Sequence, residues 1–153
     1  MIHDLLITDF KHPLFQKAFI QYFAELGINV TDWNSLWEEM NSDGSLAYLR
    51  IMRINEDSKI VGFIQLQPSK MTHWFFEETV GFIREFWISP EYRSQGHGSQ
   101  LLRIAEKYLA DLCGVSRYIL TTDTAESFYL KNGYTKRPKI TAKNKCDVFV
   151  KDI

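Results

Sequence analysis

Ile88-Ser89-Pro90-Glu91-Tyr92-Arg93-Ser94-Gln95-Gly96-His97-Gly98-Ser99-Gln100-Leu101-Leu102 is the stretch that decides the fold. An apolar run ends at Ile88, a turn carrying two glycines follows, and an amphipathic helix begins. Glycine takes positive φ at little steric cost and lets another group come close to the backbone. The first N–H groups of a helix have no intrahelical acceptor, and the helix dipole adds partial positive charge there. Strand, glycine turn and helix start in this order make an anion site suited to a pyrophosphate. A tight loop without a ligand is the competing reading of any lone Gly-x-Gly. A Walker phosphate loop is excluded, because no Gly-Lys-Ser/Thr follows. A dinucleotide fingerprint fits poorly: Leu101 stands at the third glycine position, and no acidic residue ends the next strand.

Downstream, Leu101, Leu102, Ala105, Tyr108, Leu109 and Leu112 give the clearest helical period, closed by Gly114. Arg117 to Thr121 reads as a short strand, Ala125 to Asn132 as a short helix capped by Gly133. Tyr134–Lys139 and Lys145–Val150 read as the last two strands. Upstream, Val80 to Ile88 is a strand. Ala47 to Asn55 and Ile60 to Leu66 are two more, joined by the polar turn Asn55-Glu56-Asp57-Ser58. His3 to Phe10 is a first strand. A helix opens at Pro13 and ends at Gly27, and a second is capped by Thr31. Trp33 and Trp37 fall at helical spacing and are expected in the core rather than in an acceptor pocket. The order predicts an α/β fold: a mixed, mostly antiparallel central sheet with helices on both faces, in a single domain over 1–153.

Composition agrees with that class. Apolar residues make 45% and aromatic residues 14% of the 153, enough for a globular core. No apolar run nears the roughly 20 residues needed to span a bilayer, and the start is no signal peptide. No membrane role and a cytoplasmic setting are expected. The net charge of -1 hides an asymmetry. Residues 1–130 carry 11 Lys/Arg against 17 Asp/Glu, and residues 131–153 carry 7 against 2. Either this is a solvated surface, or an acidic half faces a cationic substrate and basic residues face an anionic cofactor. No basic stripe lies outside the tail, so nucleic acid is not an expected partner. Cys113 and Cys146 have no metal or redox spacing, and no metal is expected.

Arg93-Ser94-Gln95-Gly96-His97-Gly98 resembles the acetyl-coenzyme A motif of the GNAT acetyltransferases, Gln/Arg-x-x-Gly-x-Gly/Ala. Ala125, Phe128, Tyr129, Lys131, Gly133 and Tyr134 resemble the family's later signature, with Thr122 where an Asn is usual. The resemblance covers nearly the whole chain, although the first 45 residues match only in element pattern. It implies an N-acetyltransferase that uses acetyl-CoA and a primary amine, small molecule or peptide. A non-catalytic acyl-CoA-binding sensor or interaction module is the alternative. The resemblance implies that the amides of Gln95, Gly96, His97, Gly98 and Ser99 bind the pyrophosphate. Arg93 and Ser94 would assist, and His97 occupies a variable loop position. It also implies central strands that splay near Ile88 and Thr121, with the pantetheine arm paired along Phe86, Trp87 and Ile88. Thr122 and Lys131 complete the cofactor set.

Acetyl transfer expels a thiolate whose thiol has a pKa of about 8.5, and Tyr129 is the candidate acid, against a reading as helix core. The amine must lose a proton first. Glu85, a charge in the apolar run Arg84-Glu85-Phe86-Trp87-Ile88, is the candidate base, against a reading as an ion-pair partner. Alternation places Glu85 with Ile83 and Trp87. Attack is expected directly from the amine, because neither Cys113 nor Cys146 sits where a thiolate is favoured. His73-Trp74-Phe75-Phe76-Glu77-Glu78 is expected to plug a core edge or form a homodimer contact.

Overall fold

The computed structural model describes residues 1–153. Seven strands form one sheet in the order β1-β2-β3-β4-β5-β7-β6. They are β1 (Ile2–Ile7), β2 (Leu46–Ile54), β3 (Asp57–His73), β4 (Phe76–Ile88), β5 (Arg117–Thr122), β6 (Thr135–Lys136) and β7 (Asp147–Asp152). The helices are α1 (Pro13–Leu26), α2 (Trp33–Ser42), α3 (His97–Cys113) and α4 (Glu126–Lys131). The element order is the expected one. The pairs β1·β2, β2·β3, β5·β7 and β6·β7 are antiparallel and β4·β5 is parallel, so the sheet is mixed and mostly antiparallel. No helix is long and apolar enough to cross a membrane. Contacts gather the chain into two compact units: Met1–Leu66 with Glu85–Ala105, and Gln67–Arg84 with Glu106–Ile153.

In the first unit, α1 and α2 lay their apolar stripes on β1, β2 and β3. Phe15, Ala18, Phe19 and Trp37 pack with Leu49, Ile51, Phe63 and Trp87. Trp33 stacks on Trp37 at 5.2 Å, so both tryptophans belong to this core as helical spacing requires. Asp32, not Thr31, caps α2: its Oδ1 accepts from the Ser35 amide. A short acidic side chain reaches that amide and also suits the positive end of the helix dipole. The β2–β3 register slips between Arg50↔Gly62 and Ile51↔Ile60, leaving Val61 as a bulge. The Ser89 amide donates to the Val61 carbonyl at 2.8 Å. A Cβ on Gly62 would lie 2.2 Å from the Trp87 carbonyl oxygen, so glycine is required there.

In the second unit, β4 pairs with β5 over Val80–Phe82 and Arg117–Ile119. A Cβ on Gly81 would lie 2.8 Å from a methyl of Leu109, so that glycine lets α3 lie close on β4. The last strands differ from expectation. β6 holds only Thr135–Lys136, because Pro138 has no N–H to give a ladder, and β7 starts at Asp147 rather than Lys145. Residues 73–78 do not plug a core edge. Trp74 and Phe75 form the turn between β3 and β4, and Trp74 is 94% exposed.

These two environments predict opposite tryptophan effects. Trp37→Ala should cost about 3–5 kcal/mol in a urea melt, through lost burial and the cavity left behind. Trp74→Ala should stay within about 0.5 kcal/mol of the parent. Equal effects would contradict the burial described.

Candidate functional site

In the first unit, β4 ends at Ile88 and a 3-10 turn at Pro90–Tyr92 follows. Ser94 (φ 61°) and Gly96 (φ 88°) then both take left-handed backbone, on either side of Gln95. Left-handed residues at alternate positions can turn successive N–H groups toward one point, a geometry able to accept an anion. The helix begins at His97, so the first amides of α3 follow directly. A Cβ at Gly96 would meet no atom, so what requires glycine there is the backbone angle.

The turn rests on a polar cluster that the sequence reading did not single out. Arg50 is 4% exposed and lies opposite Asp4 in the β1–β2 register. Its Nε and Nη2 donate to the two Asp4 carboxylate oxygens at 2.7 and 3.0 Å, a bidentate fork. Its Nη1 reaches His97 Nδ1 at 3.1 Å and also donates to Gln100 Oε1. A guanidinium has no lone pair to offer, so His97 Nδ1 accepts and its proton sits on Nε2. His97 is thus a buried residue of the helix start, not a loop side chain. Burial lowers its pKa, the Arg50 charge lowers it further, and Asp4 opposes both. One signal could have exposed this cluster: Arg50 is the lone charge in Leu46-Ala47-Tyr48-Leu49-Arg50-Ile51-Met52.

Arg93 donates from Nε to the Ile88 carbonyl at 2.9 Å and pairs with Glu25 of α1. That pairing holds the Glu25 carboxyl below its ordinary pKa. The Trp87 indole N–H also points to Glu25, at 3.4 Å. Glu85 accepts a hydrogen bond from the Tyr22 hydroxyl, and Tyr22 stands 6.4 Å from Trp87, ring to ring. The structure therefore brings Glu85, Trp87, Ile88 and Arg93 together with Tyr22 and Glu25. Those two partners lie three residues apart on one face of α1, a spacing visible in sequence once β4 is placed against it.

In the second unit, Thr122 Oγ1 accepts from the amides of Thr124 and Ala125 at 3.3 and 3.0 Å and so shapes the start of α4. Tyr129 is 7% exposed, edge-on to Phe128 and Tyr134. Burial drives its pKa far above the ordinary phenol value, so the hydroxyl keeps its proton throughout the working pH range. Lys131 is exposed at the end of α4. Beside them lies a second buried cluster. Glu106 of α3 takes the Tyr134 hydroxyl at 2.7 Å and Lys151 Nζ at 3.1 and 3.2 Å. Tyr118 donates to the Glu106 carbonyl at 2.8 Å, and burial first, then the Glu106 charge, pushes its pKa up to about 12. Both cysteines are free, and burial raises the pKa of the Cys113 thiol. No group of three or more His, Cys, Asp or Glu side chains is gathered that could hold a metal ion.

The family model of the acetyltransferase (GNAT) family matches residues 2–134. No curated protein matches the chain. Among solved structures, Arabidopsis thaliana NAA60 in complex with acetyl-CoA is similar at a TM-score of 0.74 and 13% identity, covering 100% of this chain and 99% of that one. The aminoglycoside acetyltransferase meta-AAC0020, from an uncultured soil metagenomic sample and in complex with trehalose, gives a TM-score of 0.71 at 15% identity. It covers 92% of this chain and 93% of that one. A probable acetyltransferase gives a TM-score of 0.70 at 20% identity, covering 92% and 94%. At these identities the likeness is one of fold.

The His97 environment sets a pH dependence. Its pKa is lowered in the folded protein, so its contribution to stability is complete above the unfolded value of about 6.5. Stability is then lost as pH falls through the folded value, because the unfolded chain takes up a proton that the folded one refuses. Calorimetric Tm should fall from pH 7 to pH 5, and His97→Gln should flatten that part of the profile. An unchanged profile would mean that His97 is protonated in the fold.

Proposed function

The chain belongs to the acetyltransferase (GNAT) family, and we propose that it is an N-acetyltransferase that moves an acetyl group from acetyl-CoA directly to a primary amine. The observation that carries the reading is the Ser94–Gly96 nest running into the first turn of α3 with a buried guanidinium beneath it. These residues fit the coenzyme's diphosphate, because the backbone offers donors without side-chain bulk and the buried charge has the complementary sign. The amides of residues 95–99 would bind that diphosphate. Ser94 shapes the turn, and Arg93, held by Glu25, fixes the strand exit as well as adding charge. The edge of Phe86, Trp87 and Ile88 would take the pantetheine amides as an added strand does. Thr122 and Lys131 complete the proposed set.

Glu85, oriented by Tyr22, would take the proton of the acceptor's ammonium, directly or through water. Tyr129 would give a hydrogen bond to the departing sulfur. A phenol has an ordinary pKa of about 10 against about 8.5 for the thiol, and burial widens that gap. Complete proton transfer is therefore uphill, and the hydroxyl acts by stabilising the developing thiolate. Most of the rate would come from holding amine and carbonyl together. Neither cysteine is needed: burial raises the Cys113 thiol above its ordinary pKa, and the Cys146 thiol bonds only to a backbone carbonyl, that of Asn144, with no base beside it in hydrogen-bond contact. The cytoplasm, where such thiols stay reduced, is the proposed setting.

Calorimetry with acetyl-CoA, with NAD and ATP as controls, tests the cofactor. Gly96→Val should abolish acetyl-CoA binding by straining the left-handed turn. Thiol release over a panel of primary amines tests catalysis. No turnover with any amine, despite tight acetyl-CoA binding, would favour a sensor or interaction module instead. Tyr129→Phe should lower kcat by about 10²–10³-fold, the effect of losing one donor to the developing thiolate, with little change in acetyl-CoA affinity. Cys113→Ala/Cys146→Ala should remain active, and ping-pong kinetics would overturn direct attack.

A further inference from the structure

A buried arginine needs a reason, because taking a guanidinium out of water is costly unless every donor is matched. Arg50 is placed by two independent devices. The β1–β2 register puts Asp4 directly opposite it, and the β2–β3 ladder changes register at Arg50 itself. Its charge is not symmetrically cancelled. The Arg50 side chain is 5% exposed and that of Asp4 is 22% exposed, so the carboxylate is the better screened of the two. The other two partners are neutral, and both belong to the first turn of α3: His97, which is neutral because it accepts at Nδ1, and Gln100. A cation under a helix N-terminus is ordinarily unfavourable, since that end already carries partial positive charge. Such an arrangement is stabilised when an anion sits on the far side of the same turn.

We propose that Arg50 is a positioning residue of the acyl-donor site: a buried cation that fixes the first turn of α3 through His97 and Gln100 and adds its charge to the anion-binding turn at residues 94–99. The proposal rests on the reading of that turn as the coenzyme A diphosphate site. It assigns the four-residue cluster Asp4, Arg50, His97 and Gln100 a task beyond holding strand to helix. Asp4 then moderates the field: it keeps Arg50 in place and weakens the potential that the turn presents.

The sign of two substitutions separates this role from a structural one. If the Arg50–Asp4 pair only held the fold, Arg50→Gln and Asp4→Asn would both weaken coenzyme A binding. If the field matters, Arg50→Gln weakens binding by roughly tenfold at low salt, the effect of one unit charge at intermediate dielectric. Asp4→Asn, which leaves the cation without its counter-charge, instead tightens binding a few-fold. Arg50→Lys keeps the charge but not the fork to Asp4 or the Nη1 bonds to His97 and Gln100, and should fall between parent and Arg50→Gln. Calorimetry with coenzyme A reads all three, and circular dichroism selects folded protein. With acetyl-CoA at saturation, kcat should stay near the parent value, so that the change appears in KM. If Arg50→Gln does not fold, the direction of change in Asp4→Asn decides alone. Weaker binding in Asp4→Asn, or unchanged binding in Arg50→Gln, overturns the proposal while leaving the cofactor site standing. Absence of any coenzyme A binding by the parent protein overturns both.

Discussion

The close approach of β3 and β4 at Gly62 governs the first unit. No side chain fits where the Trp87 carbonyl comes within 2.2 Å of the Cβ position, so only glycine lets the two backbones approach there. The Val61 bulge supplies the carbonyl that receives the Ser89 amide, and that bond fixes where the strand stops. Ile88 then ends the strand, Pro90 starts a 3-10 turn, and the chain has only Arg93 to Gly96 in which to reverse into α3. Ser94 and Gly96 take positive φ within that short span. The left-handed turn before α3 thus starts from a strand end that a backbone bond to β3 holds.

Helix α3 carries one buried ionic cluster in each unit, and each belongs to a different kind of order. At its start, Arg50 reaches up from the sheet to His97 and Gln100, so the helix supplies neutral partners and the sheet supplies both charges. In its second half the helix supplies the anion, Glu106, and the strands supply Lys151 and two tyrosines. Breaking a buried pair from one side costs about 3–5 kcal/mol, because the remaining charge is left without a partner. Apolar burial alone would allow α3 to slide or rotate on its greasy face. Ionic partners with fixed directions remove that freedom, and a site built from backbone amides depends on the helix start being held to a fraction of an ångström.

Most of this fold was legible because its signals are local. The glycine turn, the long helical period ending at Gly114 and the αL glycines at 27, 114 and 133 are written in neighbouring residues. The misjudged boundaries have physical causes. Asp32 outcompetes Thr31 as a cap, and Pro138 cuts β6 to two residues. The aromatic run at residues 73–78 carried a strong burial prior that the two-residue turn at Trp74-Phe75 overrode. The site was legible where backbone makes it and illegible where distant side chains meet. Nothing local joins Asp4 to Arg50, Tyr22 to Glu85 or Glu25 to Arg93, 46, 63 and 68 residues apart. His97 was misread for the same reason, since its partner lies on β2.

Charge asymmetry shows how partnership changes a count taken from sequence. Within residues 1–130, Asp4 pairs with Arg50, Glu25 with Arg93 and Glu78 with Arg117, while Glu106 and Glu126 pair with Lys151 and Lys136 of the basic tail. Lys136 and Arg137 are likewise engaged, by Asp147 and Asp152. Lys139, Lys143 and Lys145 are exposed in the β6–β7 connection without an acidic partner, and Lys131 ends α4 in the same condition. Engaged charges cancel beyond about 8 Å at physiological salt, and uncancelled ones set the field a solute meets. The free charge of the second unit is therefore basic and lies in the β6–β7 connection and at the end of α4. A cofactor carrying several phosphate charges is drawn by such a field, and its approach should slow as salt rises. The same field repels an ammonium group.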